Sequence, residues 1–363
     1  MKLFFASDYM EGAHPLILER LGETNTVPEQ GYGLDAFSES AREKIRDACQ
    51  APGADVFFLT GGTQTNALVI GALLLPYQGV IAADTGHISA HEAGAIEAGG
   101  HKVLTLSHSE GKITADAIGT LAQAYREDMN HDHMVMPGMV YLSQPTEYGT
   151  LYSLKELHAI RQVCDTYGLS LYVDGARLAY ALGCAQNDVS LADLARLTDV
   201  FYIGGTKCGA LLGEAVVIPV HDRIPHFFTI IKQKGALLAK GRSMGIAFDV
   251  LFTDDLYLRI GMHGVAMADR IRAALTDCGY EQVVPSPTNQ IFVRLTNAQL
   301  GVLSGQAEMS FWERTDATHT VMRLATGWAT RTEDVDALVR LLNTVAASRS
   351  SDHCYFDIST NHL

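Results

Sequence analysis

The sequence lacks the features that mark secreted, zinc-binding and membrane-spanning proteins. Its six cysteines are scattered without a C-x-x-C pair, so neither a disulfide framework nor a zinc site is predicted. No run of about eighteen unbroken apolar residues occurs, and the apolar start at 3–6 is too short for the core of a signal peptide. We therefore expect a cytoplasmic protein with reduced thiols. A leader cleaved from an organellar precursor is the alternative.

Positive charge is also scarce. The chain has 27 Lys and Arg against 41 Asp and Glu, a formal net charge of -14. Such a balance disfavours nucleic acids and anionic membranes as partners. The 363 residues, 47% of them hydrophobic, are enough for two packed domains with a sizeable core. These properties are those expected of a soluble globular protein.

Two apolar strand patterns each lead to one ionisable residue. The pattern at 169–173 ends at Asp174, and the pattern at 200–203 leads through two glycines and a threonine to Lys207. In open parallel sheets the carboxyl ends of strands border the ligand crevice, so we expect both side chains to face one crevice. A lysine can form a Schiff base with pyridoxal phosphate (PLP), and an acid can keep its pyridine nitrogen protonated. Taken singly, Asp174 could be a helix cap and Lys207 a solvated loop cation.

A strand, a turn and a helix near residue 60 are typical of phosphate binding. A short apolar strand is followed by the segment TGGTQTN at 60–66, and then by an apolar helix predicted over 67–75. Gly62 lets the backbone approach an anion, and the hydroxyls of Thr63 and Thr65 can add donors. The alternative is a helix cap without a ligand. A dinucleotide-binding oxidoreductase is disfavoured because no G-x-G-x-x-G follows the first strands.

Two histidines follow the next predicted strand. His87 and His91 are four residues apart and would share one face of a helix that begins there. The HExxH order of zinc proteases is absent, so a stacking or structural role is favoured over metal ligation. The histidines of the segment 131–133 are predicted to lie in a polar loop. We predict no metal site.

The order of the predicted elements indicates the fold class. Strands and helices alternate over 55–220, which predicts a mostly parallel sheet wrapped by helices. From residue 254 a long helix, two strands and a final helix predict a small α+β domain. We expect a large domain at 1–253, a small domain at 254–347 and a loosely held tail at 348–363.

Four motifs together resemble a known family. GGTQTN at 61–66, Gly86-His87, VDGAR at 173–177 and GTK at 205–207 resemble the threonine aldolase and β-eliminating lyase family of fold-type-I PLP enzymes. The resemblance spans 7–330 and is closest to low-specificity L-threonine and L-allo-threonine aldolases. It implies an α/β protein with the aspartate aminotransferase-like, PLP-dependent transferase-like large domain and a small α+β C-terminal domain.

The resemblance also implies which residues bind the cofactor. Lys207 would carry PLP, Asp174 would pair with the ring nitrogen, and the His87 imidazole would stack on the ring. Lys240, with Lys234 as the alternative, would reach the phosphate of a neighbouring subunit. The residues assigned to the cofactor are Gly62 and Thr63 for the phosphate, together with His87, Asp174, Arg177, Lys207 and Lys240.

The same resemblance assigns a second set of residues to substrate binding. Ser7, Arg177 and Arg323 match positions that hold the substrate carboxylate, for which guanidinium groups are well suited. Tyr32 and Asp35 fall in a segment that lines the site near the subunit boundary. The family is expected to assemble as a homodimer or homotetramer with active sites at the subunit interface.

The expected reaction is retro-aldol cleavage of L-threonine or L-allo-threonine to glycine and acetaldehyde. A base must remove the β-hydroxyl proton, and His87 is one candidate because the histidine pKa lies near neutrality. Glu147 is the other, in the loop where many bacterial members carry a histidine. The predicted catalytic residues are therefore Lys207, His87, Asp174 and Glu147, and the threo or allo preference stays open.

Two other functions are alternatives on the same fold. One is a different PLP reaction, β-elimination or transamination of an amino acid. The other is a non-catalytic PLP-binding protein. The second is disfavoured because Asp174, Arg177, Lys207 and Arg323 are all present.

Overall fold

The protein is described by a computed structural model that covers the backbone of residues 2–354 and the side chains of residues 2–347. It divides into two compact units. The larger runs from Gly12 to Met262, and the smaller combines the first eleven residues with those from His263 onward. This division differs from the expected one at 253, and it assigns the N-terminal segment to the smaller unit.

The strands alternate with helices through most of the larger unit. In chain order, the strands of the described residues are β1 (Leu3–Phe4), β2 (Asp55–Leu59), β3 (Gln78–Ala83), β4 (Val103–Leu106), β5 (Met136–Ser143), β6 (Ser170–Asp174), β7 (Val200–Gly204), β8 (Glu214–Ile218), β9 (Glu281–Gln282), β10 (Gln290–Thr296), β11 (Ala307–Glu308), β12 (Ser310–Arg314) and β13 (His319–Ala325).

The helices of the described residues are α1 (Pro15–Thr24), α2 (Ala36–Ala48), α3 (Gly62–Leu73), α4 (His87–Ala90), α5 (Ala95–Ala98), α6 (Ala115–Glu127), α7 (Leu154–Tyr167), α8 (Leu178–Leu182), α9 (Leu191–Leu197), α10 (Phe227–Gln233), α11 (Arg242–Leu251), α12 (Leu256–Asp277), α13 (Asn297–Ser304) and α14 (Thr332–Cys354). A short 3-10 helix occupies His131–His133, where a polar loop was expected. No helix in the described chain has the length and apolar character needed to cross a membrane.

The larger unit is built on one seven-stranded sheet in the order β2-β8-β7-β6-β5-β3-β4. Its pairs are parallel except those of β8, which is antiparallel to β2 and to β7. The expectation of a mostly parallel sheet is therefore confirmed. Because β5, β6 and β7 are parallel neighbours, their carboxyl ends lie at one edge.

Strand burial explains why the pattern of this sheet is visible in the sequence. Every residue of β7 and β8 is buried, as expected for strands that helices cover on both faces. Leu68 and Val69 of α3 and Ile231 of α10 belong to the core that packs on one face. Because both faces of these strands are buried, their sequences are nearly continuous apolar runs.

Helix α3 begins five residues earlier than the predicted start at residue 67. The first turn contains Gly62, Thr63 and Thr65, which have low helix propensity and were therefore predicted as a turn. The Thr65 hydroxyl donates to the Gly61 carbonyl at 3.0 Å, a bond that a helical turn brings within reach. The helix thus starts at the second glycine of the pair, Gly62.

The smaller unit contains a four-stranded antiparallel sheet, β12-β13-β10-β9, and the two-stranded parallel pair β1-β11. Phe5, Ile291, Leu324 and Leu338 contribute to its own hydrophobic core. Helix α14 continues to Cys354, beyond the predicted end at 347. The rest of the predicted loosely held tail, 355–363, lies outside the described residues.

Candidate active site at the carboxyl ends of the parallel strands

Asp174 is the last residue of β6 and is buried, with 4% of its surface exposed. Its Oδ2 accepts hydrogen bonds from the Tyr141 hydroxyl at 2.6 Å and from the Asn66 side-chain amide at 3.1 Å. Its Oδ1 accepts the backbone N–H of Ala176 at 3.0 Å. The Tyr202 hydroxyl also bonds to this carboxylate. Both oxygens of the carboxylate are therefore held by donors.

These donors decide the charge of Asp174. Burial alone would raise its pKa, because a carboxylate is poorly solvated in the protein interior. The charge of His87 and the hydrogen bonds from Tyr141, Tyr202 and Ala176 outweigh burial and lower the pKa below the usual 3.8. Asp174 is thus an anion at neutral pH. It is not a helix cap, since Arg177 occupies the N-cap position of α8.

The turn between β2 and α3 offers backbone donors to an anion. Gly61 is the N-cap of α3, and no side chain caps that helix within the described chain. The first N–H groups of the helix are therefore available to a ligand. A Cβ atom at Gly62 would lie 3.1 Å from the Tyr202 hydroxyl, so glycine suits this position. Thr63 follows with an exposed side chain.

Neighbouring polar side chains fix this turn. Gln64 Oε1 accepts the backbone N–H of Thr60 at 3.2 Å and the Thr60 hydroxyl at 2.8 Å. Thr65 is buried and donates its hydroxyl proton to the Gly61 carbonyl. The prediction that Thr65 adds a donor for the anion is therefore wrong, because that proton is used within the helix.

His87 is the first residue of the short helix α4, and 30% of its side chain is exposed. Its Nδ1 lies 2.8 Å from Glu92 Oε1. Burial lowers the pKa of His87, but the hydrogen bond with Glu92 and the charges of Glu147 and Asp174 together raise it above the ordinary 6.5. The Lys207 charge acts in the opposite direction. His87 therefore interacts electrostatically with the three other predicted catalytic residues.

Asn66 links Glu92, the hydrogen-bond partner of His87, to Asp174. Its Nδ2 donates to Glu92 Oε1 at 2.7 Å and to Asp174 Oδ2 at 3.1 Å, and its Oδ1 accepts the Tyr172 hydroxyl at 2.7 Å. All three bonds are buried. A continuous hydrogen-bonded path therefore runs from His87 through Glu92 and Asn66 to Asp174.

Glu147 lies at the opposite end of a second path to Asp174. Its Oε1 accepts the Ser143 hydroxyl at 3.2 Å, and Ser143 Oγ lies 3.4 Å from the Tyr141 hydroxyl. Tyr141 in turn donates to Asp174. Both candidate bases, His87 and Glu147, are thus connected to the same carboxylate.

Lys207 lies in the loop after β7, where the backbone conformation requires glycine at a nearby position. A Cβ atom at Gly204 would lie 2.4 Å from the Ala176 carbonyl oxygen, so only glycine fits there without displacing the backbone. The Lys207 carbonyl accepts the Tyr180 hydroxyl at 2.7 Å. The Gly213 N–H donates to the Thr206 hydroxyl oxygen at 3.1 Å and closes the loop. These contacts hold the lysine at the same sheet edge as Asp174.

The predicted substrate residues fall in both units. Arg177 of the larger unit is buried and directly follows the turn after Asp174. In the smaller unit, the Arg323 guanidinium donates to the Ala6 carbonyl at 3.3 Å, next to Ser7, and to Gln290 Oε1 at 3.2 Å. Ser7 and Arg323 are therefore neighbours in their unit.

The segment predicted to lie near a subunit boundary contains Tyr32, which has a left-handed backbone with φ of 64°. Its N–H donates to the Ala239 carbonyl at 3.0 Å, next to Lys240. The side chains of Lys234 and Lys240 are both exposed. Asp35 has a structural role, since it caps α2 by accepting the N–H and the hydroxyl of Ser38, each at 2.8 Å.

Several residues of this site were not predicted from the sequence. Tyr141, Tyr172 and Tyr202 lie on three neighbouring parallel strands, and all three are fully buried. A repeated tyrosine near the ends of apolar strands is a signal that could have been noticed. The other residues of the site that were not predicted are Asn66, Glu92 and Ser143.

Comparison with known proteins identifies the family and the fold of the chain. The sequence matches the beta-eliminating lyase family over residues 5–298. It is 33% identical to the low specificity L-threonine aldolase of Pseudomonas aeruginosa over 305 residues, which cover 82% of this chain and 86% of that protein. The structure matches the threonine aldolase of Leishmania major with a TM-score of 0.92 and 42% identity, covering 95% of this chain and 99% of that chain.

The fold extends to more distant enzymes. An aspartate aminotransferase of Thermus thermophilus matches with a TM-score of 0.70 and 13% identity, covering 95% of this chain and 91% of that one. The predicted aspartate aminotransferase-like fold of type I is therefore confirmed. Because the family match includes most of the sequence, the chain belongs to the beta-eliminating lyase family.

Proposed function

We propose that this protein is a PLP-dependent aldehyde-lyase that cleaves L-threonine or L-allo-threonine to glycine and acetaldehyde by a retro-aldol reaction. One observation carries the proposal: His87 and the anionic Asp174 belong to one hydrogen-bonded network, within electrostatic range of Lys207. The reaction requires a carboxylate to pair with the cofactor ring nitrogen, a lysine to hold the cofactor and an acceptor for the β-hydroxyl proton. The names of the Pseudomonas and Leishmania relatives support threonine as the substrate.

The residues present fit PLP. Lys207 would hold its aldehyde carbon, and Asp174 would keep a proton on the ring nitrogen. The uncapped start of α3 at Gly62 and Thr63 would bind the phosphate. Two features support the fit: a buried carboxylate kept ionised by donors, and a helix N-terminus without a side-chain cap in the described chain. When bound, PLP supplies the electron sink for the electrons of the broken Cα–Cβ bond.

Arg177 is the residue of the larger unit that we propose for the substrate carboxylate. Its guanidinium can form two parallel hydrogen bonds with a carboxylate, which fixes orientation as well as position. Its burial, with 6% of the residue exposed, strengthens such a pair because water screens it less. The assignment of Ser7 and Arg323 to the same carboxylate stays a prediction.

The β-hydroxyl proton needs an acceptor, and we propose His87 for this role ahead of Glu147. His87 has one hydrogen bond within the described chain, from Nδ1, so its second nitrogen can accept a proton. Glu147 Oε1 already accepts the Ser143 hydroxyl. We propose that Glu147 contributes to the choice between the two diastereomers.

β-Elimination is the second candidate function, because the matched family is described as beta-eliminating lyase. The two reactions give different products: retro-aldol cleavage gives an aldehyde and glycine, whereas β-elimination gives ammonia and a keto acid. The test is a product assay with added PLP on L-threonine, L-allo-threonine, L-serine and phenylserine. We expect acetaldehyde and glycine in equal amounts from the threonines, and no products with Lys207→Ala. Ammonia and keto acid instead would favour β-elimination.

We also propose a homodimer or homotetramer in which Lys240 or Lys234 reaches the phosphate site of the neighbouring subunit. Exposed apolar residues support a subunit contact near this segment. Tyr32, Leu34 and Phe228 line one cavity of about 240 Å³ and are 42%, 50% and 37% exposed. A cytoplasmic location is proposed as well, and the described cysteines, four of the five of them buried, are thiols outside any disulfide, which fits a reducing compartment.

A further inference from the structure

Glu92 is a buried carboxylate with an incomplete set of partners. Its side chain is 0% exposed. Its Oε1 lies 2.8 Å from His87 Nδ1 and 2.7 Å from Asn66 Nδ2, while Oε2 is buried without a hydrogen-bond partner among the described residues. Burying a carboxylate in this way is costly unless the remaining contacts are strong. Its position beside His87 therefore points to a role in the site.

The surrounding bonds identify the donor in the pair. The Asn66 side chain must direct its NH2 group between Glu92 and Asp174, because an amide oxygen there would meet two acceptors. Glu92 Oε1 is therefore an acceptor. A carboxylate oxygen accepts hydrogen bonds, and Oε1 is the Glu92 oxygen that has partners among the described residues. His87 Nδ1 must then be the donor to Glu92.

A neutral histidine ring with its proton on Nδ1 has a free lone pair on Nε2. We infer that Glu92 is the positioning residue that holds His87 with Nδ1 protonated and leaves Nε2 to accept the substrate β-hydroxyl proton. The inference deepens the proposed function and rests on it. In this step the proton moves from the hydroxyl oxygen to Nε2, and the O–H electron pair stays on oxygen. The Glu92 carboxylate then balances the imidazolium charge.

The other charges around His87 come from three further segments. Burial lowers the pKa of His87, and so does Lys207, in the loop after β7. Glu147, after β5, and Asp174, at the end of β6, raise it together with Glu92. The His91 ring lies 5.8 Å from the His87 ring. Of the groups that raise the pKa, Glu92 makes the direct hydrogen bond, so its removal should have the largest effect.

The experiment measures the protonation of His87 by NMR. Full-length holoenzyme carrying 15N-labelled histidine gives the ring-nitrogen shifts, and His87→Phe identifies the His87 signals among the 14 histidines. We expect Nδ1 to be protonated in the neutral ring and Nε2 to titrate with a midpoint above 6.5. Glu92→Gln retains an oxygen that can accept from both Asn66 and His87 but removes the charge. It should lower the midpoint by about one unit.

Glu97→Gln is the matched control, because Glu97 is exposed and lies in the same segment. It should leave the His87 signals unchanged. The inference is overturned if the neutral ring carries its proton on Nε2, or if the midpoint is the same in the Glu92 and Glu97 variants. Should Glu92→Gln fail to fold, the nitrogen shifts of the wild type still decide which nitrogen carries the proton.

A kinetic measurement tests the catalytic consequence. Glu92→Gln should lower kcat for threonine cleavage about tenfold or more with little change in KM, and the acidic limb of kcat should move to lower pH. An unchanged kcat and pH profile would overturn the role in proton transfer. The NMR result does not require turnover. A wild type that fails to cleave threonine would therefore refute the proposed function, and the protonation of His87 would still be decided.

Discussion

Glu214 Oε2 accepts a hydrogen bond from the backbone N–H of Gly205, 3.1 Å away and two residues before Lys207. The residue is 4% exposed, and the Thr206 hydroxyl bonds to the same side chain. Burial raises the pKa of Glu214 to about 7, although Thr206, Lys207 and the Gly205 N–H each lower it. An acid that titrates near neutral pH therefore holds the loop that carries the lysine.

The pKa of Glu214 predicts how stability changes with pH. The folded value of about 7 exceeds the ordinary 4.5, so the folded state binds the proton more tightly. The stabilising effect is complete below pH 4.5 and is lost as the pH rises through 7. We expect this group to remove up to ~3 kcal/mol from the free energy of unfolding between those limits.

In Glu214→Gln, the free energy of unfolding should not fall in this way as the pH rises. The measurement is urea unfolding of the full-length protein across the range pH 4.5 to 8, with the surface variant Glu97→Gln as the control. The difference between Glu214→Gln and the wild type should grow with pH, whereas Glu97→Gln should follow the wild type. Parallel pH dependence of all three proteins would contradict the assignment.

Asp174 gives a prediction about catalysis. Asp174→Asn removes the negative charge and introduces an NH2 group that must face other donors, either Tyr141 and Asn66 at the Oδ2 position or the Ala176 N–H at the Oδ1 position. A neutral side chain can no longer favour a proton on the cofactor ring nitrogen, so kcat should fall by ~100-fold or more. Steady-state kinetics and a separate measurement of PLP affinity distinguish a loss of catalysis from a loss of cofactor binding. A normal kcat with weakened PLP binding would mean that Asp174 only anchors the cofactor.

The fold was largely predictable because its central strands carry long apolar runs. Asp174 and Lys207 were both expected at the carboxyl edge, and β6 and β7, which precede them, are parallel neighbours. The grouping of the N-terminal segment with the C-terminal part of the chain could not be predicted from the sequence, for a physical reason. Its strand β1 has two residues, and it pairs with a strand about 300 residues away, so no local periodicity marks it.

The hydrogen-bonded network was much less predictable. Asn66 and Glu92 are 26 residues apart, and Asn66 and Asp174 are 108 apart, so only the folded sheet brings their side chains together. Asn66 is the last residue of the GGTQTN motif, and Glu92 directly follows His91. Asp35 shows the opposite case. A resemblance placed it in a segment that lines the site near the subunit boundary, and its contacts with Ser38 are those of an ordinary helix cap.

A shared active site predicts complementation between two inactive variants. If Lys240 acts on the partner's phosphate, Lys207→Ala and Lys240→Ala damage different halves of each site. In a mixed dimer one site then carries both changes and the other carries neither. A refolded equimolar mixture should regain about a quarter of the wild-type activity. The same experiment with Lys234→Ala tests the alternative lysine. No recovery with either variant would argue that each site is built by one chain.

The identity of the β-hydroxyl base can be decided by two substitutions. His87→Phe keeps an aromatic face for stacking but removes both ring nitrogens, so it should lower kcat for threonine cleavage by ~100-fold or more. Binding of PLP, followed by its visible absorption, should remain. Glu147→Gln keeps a side-chain oxygen that can accept from Ser143, and should have the smaller effect on kcat. Its effect should appear instead in the ratio of L-threonine to L-allo-threonine cleavage.

The pH dependence of the wild type provides an independent test of the same assignment. Burial lowers the pKa of His87, but Glu92, Glu147 and Asp174 together raise it above 6.5. A base acts only when unprotonated, so kcat should fall as the pH drops through a value above 6.5, and the acidic limb should be absent from the residual activity of His87→Phe. Glu147→Gln removes one of the charges that raise this pKa, and should move the limb to lower pH without abolishing it. Full activity in His87→Phe, combined with loss of activity in Glu147→Gln, would assign the proton transfer to Glu147.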